Sequence, residues 1–392
     1  MNRCELPAGS AAYTAAIAAT YDVAIIGGGI AGASLAYFLA QRGVTNVVLL
    51  ERESAPGYHA TGRSAATLCS VDFAPCIRRL KELGGQFLRE PPADFADAAL
   101  LDRSGVLLLF SGDDWLRARE LTALMVDDGE RLQLLSPSEA SARIPAIARQ
   151  RFDGAVWAAD DGRIDVHTLL HGYLRHATRA GVHVRPDSEV TDLVIDAGRC
   201  TGVVTATGTV NATTVVNAAG AWVGELAASA GAMHIEFTPR RRTIITFDAP
   251  TTHDVTAWPL VCNETHEVYF APESGGLLAS PMDQTCSKPC DARPDELAIA
   301  LAVDKLREHA PSLAPRSIRS KWAGLRTFSP DGNFVVGRDP MVDGFFWLAG
   351  QGGCGIETSP AVGRIAADLI VDGTTDYFDA SLIAPDRFTG NR

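Results

Sequence analysis

The sequence predicts an α/β fold carrying a separate, mostly antiparallel sheet, and three observations lead there. Tyr21–Arg52 reads as strand, glycine-rich turn, helix, strand and acid, in that order. Small residues recur at two later strand-to-helix turns, Ala218–Trp222 and Gly350–Gly355. Between those turns, from Ile235, short strands and turns replace the helical pattern until Pro294.

The first stretch is the most specific. Tyr21–Ile26 is a short apolar run rich in β-branched residues, which marks a buried strand. Gly27-Gly28-Gly29-Ile30-Ala31-Gly32 places G-x-G-x-x-G where that strand turns into a helix. Gly27 permits the tight turn, Gly29 lets backbone approach a pyrophosphate, and Gly32 lets the helix pack on the strand. Ile30 and Ala31, between them, are counted with the same site. The helix is expected over Ala33–Arg42, stopping at Gly43, and its N-terminal N–H groups suit a phosphate. Val47–Leu50 is the second strand. Glu51 then stands where an acid bonds a ribose 2′-hydroxyl. The order predicts dinucleotide binding, against the alternative of a tight turn in an ordinary α/β sheet.

At 392 residues the chain is long enough for two domains. Its 46% hydrophobic and 21% charged residues are ordinary for a globular protein. A net charge of -12 argues against nucleic acid or anionic membrane as a partner. None of the eight cysteines forms a C-x-x-C pair, so reduced thiols in a cytoplasmic protein are expected, without a zinc site. Residues 1–20 read as a disordered extension with no signal-peptide core. No run of 18 apolar residues appears, so no membrane span is expected.

Past the second strand, Glu53–Ala66 is loop-like, either a cofactor wrap or a surface loop. Phe73–Arg89 has helical periodicity and stops at Pro91-Pro92. Val106–Phe110 is a strand. Asp113–Asp127 is a polar helix, and Ser136–Ile144 opens with a Ser-x-x-Glu box. Gly154–Trp157 and a turn from Asp160 lead to a helix at Val166–Ala180. Its His167 and His171 share a face, but no Glu or third ligand accompanies them, so exposed histidines are the better reading than a metal. Val182–Val184, Val190–Ile195, Gly202–Thr205, Val210–Asn211 and Thr214–Asn217 read as strands. Further strands are expected at Arg242–Phe247, Val268–Phe270 and Gly276–Ser280, then a helix over Pro294–His309. Val335–Gly337 and Phe345–Leu348 precede a last helix at Thr358–Val371.

Taken together, the opening βαβ unit, GYHATGRSAA, VNAAGAW, WAGLRTFSPDG and AGQGGCGIETSPAVG occur in an order that resembles the FAD-dependent D-amino-acid oxidase superfamily across nearly the whole chain. Within it the sequence looks most like the bacterial D-arginine dehydrogenases and their D-amino-acid dehydrogenase relatives. The resemblance implies a glutathione-reductase-type FAD-binding Rossmann domain with an interleaved antiparallel-sheet substrate domain. The FAD domain would be discontinuous, over 21–98, 157–236 and 322–380, with 99–156 and 237–321 holding substrate.

It also implies roles. Gly27, Gly29 and Gly32 would lie on the FAD pyrophosphate and Glu51 on the ribose. Arg52, Ala60, Thr61, Arg63, Ser64 and Ala66 would wrap the diphosphate and flavin edge. Val190 would meet adenine, Gly220 would pack on the cofactor, and Gly352, Gly353, Gly355, Ile356 and Thr358 would sit at the pyrimidine end. Sarcosine oxidases tether flavin through a cysteine in the segment matching WAGLRTF. Leu325-Arg326 stand there instead, so FAD is expected to be non-covalent.

Arg242 and Arg326 match two arginines that hold an amino-acid carboxylate, as a planar guanidinium does well. The alternative for Arg240–Arg242 is a solvated basic run. Tyr269 matches a carboxylate-binding tyrosine or is a core residue, and the Gly353 carbonyl matches the acceptor for the substrate amine. Thr67, Asp72 and Val106 stand where the D-arginine enzyme has histidine, tyrosine and glutamate. The last exchange removes the partner of a guanidinium side chain. The activity implied is oxidation of the Cα–N bond of a small amino acid, a D-amino acid foremost, by hydride transfer to flavin N5. The imino acid would hydrolyse to a 2-oxo acid and ammonia. The resemblance leaves the electron acceptor open between oxygen and a quinone.

Overall fold

The computed structural model describes residues 20–127 and 129–389, so the extension expected over 1–20 lies almost wholly outside the described residues. Two eight-stranded sheets carry the chain. In the first, Tyr21–Ile26 pairs in parallel with Val47–Leu50 on one side and with the end of Gly208–Asn217 on the other. Asn217 also lies in parallel register with Trp347 of Phe345–Ala349. Parallel strands end on one edge. Gly27, Glu51, Ala218 and Gly350, each following such a strand, therefore collect along one rim, where open α/β sheets bind ligands.

Alternation divides this sheet between two cores. Val23, Ile25, Val47 and Leu49 face helices Ile30–Gln41, Pro75–Arg89, Val166–Ala180 and Gly355–Val371. Ala24, Ile26, Val48 and Leu50 face the opposite way, against Val223–Ser229. The first helix packs so closely that a Cβ on Gly32 would lie 2.1 Å from the Gly27 carbonyl oxygen. In the last helix Pro360 cannot donate to Ile356, and the Ser359 hydroxyl donates to that carbonyl instead, at 2.9 Å.

The second sheet is antiparallel except where Leu260–Asn263 runs parallel to Val106–Phe110. Its strand Thr238–Phe247 pairs with Gly276–Ser280 and with Ser320–Phe328. Ser320–Phe328 thus belongs to the second sheet, and Gly154–Ala158 does too, so residues 157–158 and 322–328, expected with the first domain, pair with strands of the second sheet. Two sequence strands at Val210–Asn211 and Thr214–Asn217 are one, since Ala212 pairs with Tyr21 and carries the ladder through. Leu260–Asn263, short and wholly buried, escaped the sequence reading. Among the described residues no helix is long and apolar enough to cross a membrane.

Candidate active site

A cavity of about 680 Å³ lies between the rim of the first sheet and one face of the second. Gly27, Gly29, Ile30, Ala31, Glu51 and Arg52 line it, as do Ala60, Thr61, Arg63, Ser64, Ala66, Val190 and Gly220. Gly352, Gly353, Gly355 and Ile356 line it from the last turn. Two expected residues do not reach it. Gly32 is taken up by the helix–strand contact. Thr358 is fully buried, its hydroxyl donating to the Cys354 carbonyl at 2.8 Å.

At the rim, Gly27 has φ +107°, and a Cβ there would lie 2.5 Å from the Ala218 carbonyl oxygen. The helix from Ile30 has no side-chain cap on its N-terminus. Ile30 N–H donates to the Thr61 hydroxyl at 3.0 Å, which ties the loop to the helix start. Glu51 is 6% exposed and accepts from Gly28 N–H at 2.8 Å and Glu53 N–H at 2.9 Å. Those bonds orient the carboxylate and leave further lone pairs for a hydroxyl. Trp222, the end of the Ala218–Trp222 turn and given no role of its own in the sequence, lines the cavity with the Arg52 guanidinium 4.4 Å over its ring.

The Glu53–Ala66 loop is part of the cavity wall. Ala66 holds φ +44°, a strained value for a residue with a Cβ. The Arg63 guanidinium donates to the Ala292 carbonyl at 3.1 Å and pairs with Asp291, while Trp322 Nε1 donates to the Arg63 carbonyl. Arg63 therefore fastens the loop to the second sheet, and its charge is already met by protein.

Register explains the other wall. Arg240 lies opposite Arg326, and Arg242 opposite Gly324, so the three arginines occupy one face. Ile244, two residues on, shares that face, and Tyr269 joins it through Ser280. Arg242, Ile244, Leu260, Tyr269 and Arg326 all line the cavity. Arg242 is 9% exposed and donates through Nε to the Asp283 carbonyl at 3.1 Å. Arg326 Nε and Nη2 are buried with no hydrogen-bond partner among the described residues. Burial, reinforced by Arg242, brings the Arg326 guanidinium down to about 10. Burial also pushes the Tyr269 phenol up. Gln351 Nε2 is another buried donor without a partner. The surface can thus take an anion on buried cations beside an apolar wall.

Val106 shares the sheet face, beside Leu260 in register, but is fully buried and does not line the cavity. Asp72 does meet a basic side chain, the protein's own Lys81, whose Nζ is 3.0 Å from Asp72 Oδ2. The ring centroids of His167 and His171 are 4.2 Å apart, away from the cavity. Among the described residues no cluster of three or more His, Cys, Asp or Glu stands ready for a metal.

Residues 22–369 match the family model described as FAD dependent oxidoreductase. The chain is similar to hydrogen cyanide synthase subunit HcnC of Pseudomonas aeruginosa, 27% identical over 409 residues, covering 93% of this chain and 96% of the relative. Among solved structures it resembles L-proline dehydrogenase from P. horikoshii, with TM-score 0.85 and 22% identity, over 96% of this chain and 100% of that one. Glycine oxidase from Geobacillus kaustophilus superposes with TM-score 0.78 at 25% identity, over 93% and 98% of the two chains.

Proposed function

The chain belongs to the FAD dependent oxidoreductase family, with FAD as its cofactor, and from that premise we propose that it oxidises the Cα–N bond of a small amino acid, a D-amino acid foremost. The residues of the cavity fit FAD. The uncapped helix at Ile30 offers N–H groups and a positive dipole end to the diphosphate. Glu51 is held for the ribose, Val190 and Trp222 stand by for the adenine end, and Gly352–Ile356 for the flavin. When bound, FAD supplies the two-electron acceptor that amino-acid side chains lack.

The observation that carries the substrate assignment is Arg326. A buried guanidinium with two nitrogens unpartnered among the described residues is costly to keep unless a ligand anion completes it. A carboxylate does so through paired hydrogen bonds. Arg242 supplies a second cation, and Tyr269 a phenol on the same face. With the carboxylate fixed there, the Gly353 carbonyl, on the turn packed against Arg326, is the acceptor that aims the amine. No cysteine lies in Ser320–Phe328, which supports a non-covalent cofactor. The glycine oxidase likeness supports an amino-acid substrate.

The test is anaerobic mixing with a panel of D- and L-amino acids. Loss of the flavin band at about 450 nm identifies reducing substrates, an ordinary property of the cofactor. Ammonia as product supports a primary amine. Methylamine would move the assignment to an N-methyl amino acid, and neither product with a 2-hydroxy acid would move it to alcohol oxidation. A band that persists with every compound leaves a flavin-binding protein and ends the proposal.

A further inference from the structure

One buried cluster at the cavity edge has no part in holding cofactor or carboxylate. Glu357 lines the cavity and is 6% exposed. Its Oε1 is 3.3 Å from Lys81 Nζ, and its Oε2 accepts from Cys69 N–H at 2.8 Å. Lys81 is 5% exposed, and its Nζ also reaches Asp72 Oδ2 at 3.0 Å. The Asp72 side chain is 24% exposed, so the chain of contacts that begins in the cavity ends at solvent. Three separate segments contribute: the last helix, the helix Pro75–Arg89, and the loop before it.

We infer that Glu357, Lys81 and Asp72 form a proton relay between the cavity and solvent. This rests on the amino-acid reading above, since an amino acid arrives as an ammonium and must lose an N–H proton before its Cα–N bond becomes an imine. That proton enters at the Glu357 carboxylate. Lys81 passes one of its own protons to Asp72 and takes the Glu357 proton in its place, and Asp72 releases one to water. Every bond broken to hydrogen is matched by one formed. The relay moves protons only; the electron pair of the Cα–H bond leaves with the hydride to the flavin.

The charges favour transfer over a purely structural ion pair. Glu357 and Asp72 share the Lys81 ammonium, and Glu357 is the buried one of the two, so burial favours a proton on Glu357 more than on Asp72. Burial, opposed by Lys81, pushes the Glu357 carboxyl up to about 7. Burial opposes the Lys81 charge but is outweighed by the groups around it, among which the Glu357 and Asp72 carboxylates hold the ammonium. The other neighbours are two thiols and Arg78, whose guanidinium donates to the Asp72 carbonyl oxygen at 2.8 Å. Burial pushes Cys354 up to about 12 and Cys69 well up, so both stay protonated through neutral pH.

Three variants of the FAD-loaded enzyme test this, Glu357→Gln, Lys81→Arg and Asp72→Asn. In the wild type kcat/KM should rise with pH as Glu357 ionises near 7. Glu357→Gln should lose that limb and fall about 100-fold at pH 8, the usual worth of a positioned base. Lys81→Arg keeps the charge but a guanidinium does not give up its proton. It should therefore lose activity while keeping its flavin, and Asp72→Asn should lose less. A folded, flavin-loaded Lys81→Arg enzyme with the wild-type rate and pH profile overturns the relay. If Lys81→Arg does not fold, an unchanged pH profile in Glu357→Gln overturns it. Should the wild type oxidise no amino acid, the functional reading fails separately, and infrared titration decides the relay. A carboxyl band must then titrate between pH 5 and 9 in the flavin-loaded wild type and vanish in Glu357→Gln; no such band overturns it.

Discussion

Arg326 is packed against Gly353: a Cβ built on Gly353 lies 3.1 Å from Arg326 Nη1 and 3.4 Å from its Cδ. The cation proposed for the carboxylate and the carbonyl proposed for the amine are therefore set by one contact. Gly353→Ala should push the guanidinium aside without touching the diphosphate end. A displacement of this kind costs up to about 100-fold in kcat/KM. Steady-state kinetics beside the ratio of flavin absorbance to protein absorbance checks it. Equal losses of flavin and activity would show that the turn serves the cofactor alone.

Removing either arginine should cost roughly 2–5 kcal/mol of transition-state binding, or about 30-fold or more in kcat/KM. The two should differ in stability. Arg326→Ala deletes a buried cation with unpartnered N–H groups, so the ligand-free melting temperature should hold or rise. Arg242→Ala breaks the bond to the Asp283 carbonyl and should lower it. Thermal melts of both variants without substrate decide the sign.

The cofactor half was legible because its constraints are local. Gly27, Gly29 and Glu51 sit within one βαβ unit, and each answers to a requirement of its own turn. The substrate half depends on register between distant strands. Arg240 meets Arg326 only because Thr238–Phe247 pairs with Ser320–Phe328, which no window around either residue contains. Arg63 lines the cavity, and its pairing with the distant Asp291 is a contact that its own loop does not announce. Lys81 did leave a signal. It falls four residues after buried Ile77, on the apolar face of its helix. A lysine there needs a buried partner, and Glu357 is one.

Flavin should be released by acid. Among the described cysteines, Cys290 lines the cavity but lies outside the strand where relatives tether the cofactor. Precipitation with trichloroacetic acid should leave a colourless pellet and a yellow supernatant. Gly27→Ala, with its Cβ forced to 2.5 Å from the Ala218 carbonyl oxygen, should yield protein without flavin. Colour in the pellet would point to a bond from Cys290, which Cys290→Ser would then abolish.

Asp161 predicts an acid-side stability gain. It is 1% exposed and accepts from Ser70 N–H and Oγ, with Arg89 3.2 Å away. Burial outweighs those partners and pushes its carboxyl up to about 6. A raised carboxyl binds its proton more tightly folded than unfolded. Its contribution is thus full below about pH 4 and is lost as pH rises through 6. A rise of about two pH units is worth on the order of 3 kcal/mol. Relative to Asp161→Asn, the wild type should therefore lose melting temperature between pH 4 and 7. A difference independent of pH would mean that the ion pair with Arg89 keeps Asp161 charged throughout.

The side chain of the substrate should be apolar. Where the D-arginine enzymes place a glutamate, Val106 is fully buried beside Leu260, and Leu260 and Ile244 present hydrocarbon to the cavity. Asp72, the other candidate partner for a basic side chain, is held by Lys81 at 3.0 Å, and Glu357 is held by the same ammonium. A substrate guanidinium would enter without a free carboxylate and beside Arg242 and Arg326, and burying it so costs several kcal/mol. Each methylene of an apolar side chain instead contributes about 0.8 kcal/mol. D-Methionine and D-phenylalanine should therefore exceed D-arginine and D-lysine by at least tenfold in kcat/KM, a gap of about 1.4 kcal/mol. Rates for these four at one pH measure it. If a basic substrate wins by that margin, it must compete with Lys81 for Asp72 or Glu357. Asp72→Asn would then lower the rate for D-arginine while sparing D-methionine.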